Sequence, residues 1–156
     1  MKSLEIKKYK KFMLESNHIE GEYRLNPNDL DAMEYVTNNG INSLQDILNL
    51  HSLLGRYLNE NWVGKLRNCE VRVGNYYPPS YRELDKLMKE YCDKLPKMSS
   101  WEAHNEFEKI HPFQDLNGRV GRLIWLSKAI KEGYNFGISF LHKYYYQTLS
   151  KYEEKK

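Results

Sequence analysis

Residues 111–122 read HPFQDLNGRVGR and gather the side chains that phosphoryl transfer requires. His111 can change its protonation near neutral pH and accept the proton of a hydroxyl group. Asp115 offers carboxylate oxygens, the ligands that Mg²⁺ prefers when it bridges phosphates. Arg119 and Arg122 carry planar guanidinium groups that suit bidentate contact with phosphate oxygens. The segment therefore predicts a site for phosphoryl or nucleotidyl transfer.

A helix is expected directly after this loop. The apolar pattern predicts helix from Gly118 to Glu132, and the side chain of Asn117 can cap it. The first N–H groups of a helix have no backbone partners, so together with the helix dipole they attract an anion. Because Arg119 and Arg122 are three residues apart, they lie on one helical face near that anion.

Each feature taken alone has an ordinary structural explanation. A histidine before a proline is more often structural than catalytic, two arginines three apart usually form a solvated face, and Asp-x-Asn is usually a turn. Their occurrence together, in one loop and in this order, favours the functional interpretation. Phe113 is the exception, since an aromatic side chain between polar residues is suited to anchoring the loop in the core.

The rest of the chain predicts a mostly α-helical fold with one small β element. A length of 156 residues suits a single domain, residues 1–156. Pro112 disfavours helix at His111, so the preceding helix should end there. The other predicted helices cover residues 3–20, 28–38, 43–61, 80–95 and 100–110.

The loop closely resembles the signature of Fic-domain proteins, HPFx(D/E)GNGRxxR, and the resemblance is strongest over residues 101–132. It implies the Fic fold, a compact helical bundle with a small β-hairpin flap beside the active-site loop. It also implies transfer of AMP from ATP to a Ser, Thr or Tyr hydroxyl of a protein, self-modification included. By this resemblance the base is His111, the Mg²⁺ ligand is Asp115, and the nucleotide-binding residues are Asn117, Gly118, Arg119 and Arg122.

Residues 66–79 resemble the flap that Fic proteins place beside the active site. Glu70 to Val73 alternate in character over a few residues, which is typical of an extended strand. Val71, Arg72 and Val73 are predicted to dock an extended target segment through main-chain hydrogen bonds. An ordinary structural hairpin is the equal alternative.

A second family pattern, (S/T)xxxE(G/N), matches the end of the N-terminal helix expected over residues 1–21. Ser16 and Glu20 are four residues apart and therefore share one helical face. The resemblance implies that Glu20 pairs with Arg122 and displaces the γ-phosphate of ATP, so that the protein is autoinhibited. In some family members this glutamate is linked to the reverse reaction, removal of AMP. A plain helix end is the simpler alternative.

Leu116 stands where the family signature has glycine. A left-handed backbone there would strain a leucine, whereas a helical or bridging backbone would accept it. Leu116 also favours a rival function, a catalytically weak module that binds nucleotide or target. A third possibility is a transferase of another phosphate-containing group, since the loop recognises phosphates and not the base. Base stacking by Tyr76–Tyr77 or Tyr144–Tyr146 is open, although such tyrosines are more often core.

Composition excludes several classes of partner. Twenty-four Lys and Arg against twenty-one Asp and Glu give a net charge of +3, too mild for a nucleic-acid-binding protein. No apolar run approaches the roughly 20 residues that cross a membrane. The N-terminal lysines lack the apolar stretch of a secretory signal. Cys69 and Cys92 have no metal-binding spacing, so two free thiols in a cytoplasmic protein are expected.

Overall fold

A computed structural model describes residues 3–133, and within them the chain forms six α-helices. The predicted single domain over residues 1–156 extends past this range, and Tyr144–Tyr146 lie outside it. Short 3-10 helices cover Arg56–Leu58, Tyr81–Glu83 and Leu95–Lys97. The α-helices are α1 (Ser3–Ile19), α2 (Pro27–Asn39), α3 (Leu44–Gly55), α4 (Leu84–Lys94), α5 (Ser100–Ile110) and α6 (Asn117–Lys131).

The mostly helical fold class is confirmed, and the local signals explain most helix ends. Helix α2 begins earlier than predicted, because Asn26 and not Asn28 is its cap. The Asn26 side chain accepts a hydrogen bond from the Asp29 N–H, and the Asp29 carboxylate accepts one from the Asn26 N–H. This reciprocal capping box, with Pro27 as the first helical residue, fixes the start of α2.

Helix α3 is shorter than predicted. The amphipathic pattern indicated helix as far as Asn61, but the α-helix ends at Gly55 and tightens into the 3-10 turn Arg56–Leu58. Asn59 then adopts a left-handed backbone with φ of 53°, which ends the helical course. Asparagine tolerates this conformation better than most residues, so the stop has a local cause.

The predicted β-hairpin flap at residues 66–79 is not confirmed. In the described part of the chain, regular β pairing consists of one antiparallel bridge between Val73 and Tyr76, around a turn at Gly74. The alternating pattern therefore does not extend into a ladder. One physical reason is that the carbonyls of Cys69 and Pro79, near the two ends of the segment, accept hydrogen bonds from the Arg67 side chain.

Helix α6 is the centre of the molecule. It packs most extensively against α5 and also contacts α1, α2 and α3. Eleven of its residues are buried, so its polar first two turns lie inside the protein and not on its surface. Phe12 of α1 stacks on Trp125 of α6, with ring centroids 5.6 Å apart and 6° between the planes. This contact fixes α1 alongside α6, so the end of α1 reaches the start of α6. Across residues 3–133, no helix combines the length and apolar character needed to cross a membrane.

Candidate active site

The loop between α5 and α6 begins with a left-handed histidine. Helix α5 ends at Ile110, and His111 caps it with φ of 49° and ψ of 61°. The His111 N–H still donates to the Phe107 carbonyl at 3.0 Å, so the turn closes on the helix. Two residues later, the fully buried Phe113 ring stacks on His51 with centroids 3.8 Å apart. Phe113 therefore anchors the loop in the core, as predicted.

Asn117 does not cap α6, contrary to the prediction. It is the first helical residue, and the capping position belongs to Leu116. The Asn117 side chain accepts a hydrogen bond from the Phe113 N–H at 2.9 Å and donates one to the Phe113 carbonyl at 2.7 Å. Asn117 therefore closes the loop by two hydrogen bonds to the main chain of Phe113. Among the described residues no side chain caps α6, so its first N–H groups have no side-chain acceptor.

Leu116 adopts the left-handed backbone, the strained one of the two alternatives, and not a helical or bridging backbone. Its φ of 69° and ψ of 12° are left-handed, where a leucine costs on the order of 1–2 kcal/mol relative to a right-handed backbone. The side chain is only 9% exposed, and its Cδ1 would lie 3.1 Å from a Cβ placed on Gly55. Burial against the glycine at the end of α3 offsets the strain, so the loop turns without the family glycine.

A cleft of about 450 Å³ opens at the start of α6. Six of the predicted site residues line this cleft: Glu20, His111, Asp115, Asn117, Gly118 and Arg119. The other predicted site residues, Ser16, Arg122 and Val71–Val73, are not part of its lining. The structure thus brings the loop residues and Glu20 together, and it leaves the predicted docking residues outside.

The Arg122 guanidinium, 1% exposed, is held by the end of α1. Its Nε donates to the Ser16 hydroxyl at 2.6 Å, and its Nη2 donates to the Glu20 carboxylate at 2.7 Å. The Ser16 carbonyl accepts a further hydrogen bond at 3.1 Å. Glu20 can approach only because Gly118 has no side chain, since a Cβ there would lie 2.5 Å from the Glu20 Oε1.

Arg119 presents a guanidinium to the cleft. Its side chain is largely buried, with 7% of the residue exposed, and it lines the cleft beside Gly118. Its Nε has no hydrogen-bond partner within residues 3–133. A buried guanidinium donor without an acceptor, next to a helix N-terminus, is suited to an incoming phosphate oxygen.

His111 is held in its neutral form. Burial lowers its pKa to about 4, and the nearby Arg67 guanidinium lowers it as well. The Glu108 backbone and the carboxylates of Asp115 and Glu20 oppose this decrease. A neutral imidazole is the form that can accept a proton from a hydroxyl group.

Asp115 presents one carboxylate to the cleft. Its Oδ1 accepts a hydrogen bond from the Leu116 N–H at 2.7 Å, and its carbonyl contacts His51 Nε2 at 3.0 Å, so the residue is fixed at both ends. No cluster of three or more His, Cys, Asp or Glu side chains that could hold a metal occurs in residues 3–133. Mg²⁺ is commonly bound by one or two carboxylates together with substrate phosphates, so this donor set fits Mg²⁺ in the presence of a nucleotide.

Glu108 is a cleft residue that the sequence analysis did not identify. Its Oε1 is buried without a hydrogen-bond partner in the described part of the chain, and it occupies the space left by the missing side chain of Gly121. Burial raises its pKa to about 7, Arg122 opposes the increase, and Glu20 adds to it. The available signal was its position in the last turn of α5, three residues before His111.

The model of the Fic/DOC family matches residues 41–126, more than half of the chain. The chain belongs to the Fic/DOC family. The curated relatives of this Fic chain include the protein adenylyltransferase Fic of Aedes aegypti, 30% identical over 131 residues, and that of Drosophila willistoni, 31% identical over 116 residues. These matches cover 73% and 66% of the Fic chain.

The chain spans about a quarter of the length of these relatives, since the matches cover 26% and 23% of them. Solved structures give the same fold at lower identity. A Fic family protein from Desulfovibrio desulfuricans aligns with a TM-score of 0.61 and 22% identity over 84% of this chain and 50% of that one. A Fic-domain signalling protein from Bacteroides thetaiotaomicron aligns with a TM-score of 0.64 and 19% identity over 96% and 75%.

Proposed function

We propose that this Fic chain transfers AMP from ATP to a Ser, Thr or Tyr hydroxyl of a protein, and that Glu20 restrains the reaction. One observation carries the proposal: a neutral base, a carboxylate and a free guanidinium converge on one cleft at an open helix N-terminus. The names of the relatives, protein adenylyltransferases, support ATP as donor and a protein as acceptor.

In the proposed reaction the target hydroxyl attacks the α-phosphorus in line with the bond to the β-phosphate. The hydroxyl proton passes to His111, the new bond joins the target oxygen to AMP, and pyrophosphate leaves. Arg119 and the N–H groups at the start of α6 hold the phosphates, so catalysis comes mainly from positioning and from neutralising charge. Asp115 would hold Mg²⁺, which when bound neutralises further phosphate charge.

The proposed restraint rests on competition for one guanidinium. Arg122 lies next to Gly118 at the phosphate-binding end of α6, with its Nη1 2.9 Å from a Cβ placed there. The Glu20 carboxylate already accepts a hydrogen bond from the same guanidinium. A phosphate oxygen and a carboxylate oxygen need the same donors, so Glu20 keeps the terminal phosphate of ATP from a productive position.

The proposed acceptor is a protein segment that docks on Val71, Arg72 and Val73. Val73 is 40% exposed and Tyr77 is 70% exposed, so the segment offers uncovered apolar surface. The single bridge at Val73 leaves the residues before it outside any ladder. An extended partner could add to such a segment by main-chain hydrogen bonds. Tyrosines of the chain itself are equally proposed as acceptors.

The deciding experiment incubates the Glu20→Gly protein with Mg²⁺ and a series of labelled nucleotides, followed by intact mass. An adduct the size of AMP, formed from ATP alone, is the expected result. The Glu20→Gly/His111→Ala double variant is the control, and it should carry no adduct. An adduct of another size would identify a different donated group, and no adduct with any nucleotide would contradict a transferase and favour a binding module.

The reverse reaction has its own support, because the Glu20 carboxylate lines the cleft together with His111 and could position a water there. Hydrolysis of an AMP-modified protein by wild type, and its loss in Glu20→Gly, would demonstrate this activity. Equal hydrolysis by both proteins would exclude a role for Glu20 in it.

A further inference from the structure

Arg67 is a buried arginine, 4% exposed, at the start of the flap segment 66–79. Its guanidinium donates to four main-chain carbonyls, and its backbone N–H donates to the Pro112 carbonyl at 2.9 Å. The four guanidinium acceptors are His111 at 2.8 Å, Cys69 at 2.9 Å, Pro79 at 2.6 Å and Ile110 at 3.4 Å.

Two of these acceptors lie at the C-terminal end of α5. The last carbonyls of a helix have no partner within the helix and carry the negative end of its dipole. Arg67 satisfies the carbonyls of Ile110 and His111 with charged donors, directly where His111 adopts its left-handed backbone. A non-glycine residue persists in that conformation when its surroundings fix it, and Arg67 supplies two of the fixing contacts.

The other two acceptors, Cys69 and Pro79, lie near the two ends of the flap segment 66–79. One guanidinium therefore joins the base of the flap segment to the backbone of His111. Arginine is suited to this task because its planar fork presents several donors in fixed directions. Within residues 3–133, the ion pairs do not include Arg67, so its contacts are with main chain.

Arg67 also acts on His111 through its charge. A cation near the imidazole disfavours the protonated ring, and it adds to the effect of burial on the pKa of His111. Within residues 3–133, the carboxylates of Asp115 and Glu20 also act on the pKa of His111, and they favour the protonated form. Arg67 therefore adds to the effect of burial in favouring the neutral imidazole, and it counteracts the acidic side of the cleft.

We propose that Arg67 is a positioning residue for the transfer reaction, holding the flap segment 66–79 and the catalytic histidine in one fixed arrangement. The inference rests on the proposed function of the cleft. A target hydroxyl docked on the flap segment then reaches His111 at a set distance, because both are tied to the same guanidinium. Loss of the fork should lower the rate of transfer more than the affinity for ATP, since within residues 3–133 the hydrogen bonds of Arg67 go to the flap segment and the end of α5, and not to the start of α6.

The test compares Arg67→Lys and Arg67→Gln, both in the Glu20→Gly background. Lysine keeps the charge but loses the fork, and glutamine loses the charge as well. Both should lower kcat by about tenfold to a hundredfold, the effect of misplacing reacting groups by about 1 Å, with the KM for ATP little changed. Arg82→Gln is the matched control, because Arg82 is exposed and stacks on Tyr81; it should leave kcat unchanged.

An NMR titration of the His111 imidazole, assigned with His111→Ala, gives a readout independent of transfer. Arg67→Gln should raise the pKa of His111, and Arg67→Lys should leave it low. A wild-type kcat in Arg67→Lys would overturn the proposal. If Arg67→Gln does not fold, the kcat of Arg67→Lys alone still tests the proposal. If Glu20→Gly itself forms no adduct, the proposed function fails. Independently of that result, an unchanged pKa of His111 in Arg67→Gln would overturn the inference that the Arg67 charge acts on His111.

Discussion

The Glu20 carboxylate accepts a hydrogen bond from the Arg122 guanidinium at 2.7 Å, across 102 positions of sequence. The two partners differ in exposure, since the Arg122 side chain is 1% exposed and that of Glu20 is 39% exposed. The buried partner is fixed by Ser16 as well, whereas the exposed partner sits one residue beyond α1, in the turn before Gly21. We therefore expect Glu20 to be displaced from the contact more readily than Arg122.

The first prediction is that Ser16→Ala and Glu20→Gly relieve the proposed restraint on transfer to different degrees. Ser16→Ala removes the hydroxyl that accepts from Arg122 Nε but leaves the Glu20 carboxylate, so the guanidinium is held less firmly. Labelling with ATP should rise in Ser16→Ala, by less than in Glu20→Gly, because the carboxylate still competes with phosphate. Ser127→Ala, a buried serine elsewhere on α6, is the control and should label like wild type. Equal labelling in Ser16→Ala and wild type would exclude a role for the hydroxyl.

Contacts between side chains were easier to predict from the sequence than contacts to main-chain atoms. The loop chemistry depends on side chains at fixed spacings, so residue types indicated it. The pair of Glu20 and Arg122, 102 positions apart, was implied by the resemblance to the family's inhibitory pattern. Arg67 was missed because its acceptors are main-chain carbonyls, which every residue supplies and no pattern marks. The hairpin predicted at residues 66–79 is not confirmed, and there too Arg67 donates hydrogen bonds to main-chain carbonyls near both ends of the segment.

The second prediction follows from the left-handed backbone at Leu116: a glycine variant should be more stable there than an alanine variant. At most buried helical positions alanine is more stable than glycine, but at φ of 69° alanine is strained and glycine is not. Leu116→Ala should lower the free energy of unfolding by about 2–4 kcal/mol through lost burial. Leu116→Gly should be more stable than Leu116→Ala by about 1 kcal/mol. Urea unfolding of both variants measures the difference.

The matched control for this prediction is Leu123, a leucine that is 1% exposed in the middle of α6. Its backbone is right-handed, so Leu123→Gly should be less stable than Leu123→Ala by about 1 kcal/mol. The same order at both positions would mean that the left-handed strain at Leu116 does not affect stability.

Metal dependence of nucleotide binding is the third prediction. Asp115→Asn keeps the oxygen that accepts from the Leu116 N–H but removes the charge that attracts Mg²⁺. In the Glu20→Gly background, calorimetry should show ATP binding that Mg²⁺ strengthens, and this gain should fall by about tenfold or more in Asp115→Asn. Asp93→Asn, at an exposed position of α4, should retain the full gain. A Mg²⁺ effect that survives Asp115→Asn would exclude Asp115 as the ligand.

The partly buried carboxyl of Glu108 makes stability depend on pH, which is the fourth prediction. Its pKa in the folded protein is raised to about 7, mainly by burial, with Arg122 opposing and Glu20 contributing. In the unfolded chain the carboxyl has an ordinary pKa near 4.3. Between roughly pH 4.3 and pH 7 the folded state therefore binds more protons, so the stability that the neutral carboxyl provides is lost as pH rises through this window.

Glu108→Gln replaces the carboxyl with a neutral group of the same shape and should remove this loss. The free energy of unfolding of Glu108→Gln relative to wild type should be nearly constant below pH 4.3. It should then rise to an advantage on the order of 2 kcal/mol by pH 8, a value reduced for the solvent that reaches the cleft. Glu90→Gln, exposed on α4, should show a constant difference across the same range. A constant difference in Glu108→Gln as well would mean that the buried oxygen ionises as freely in the folded protein as in water.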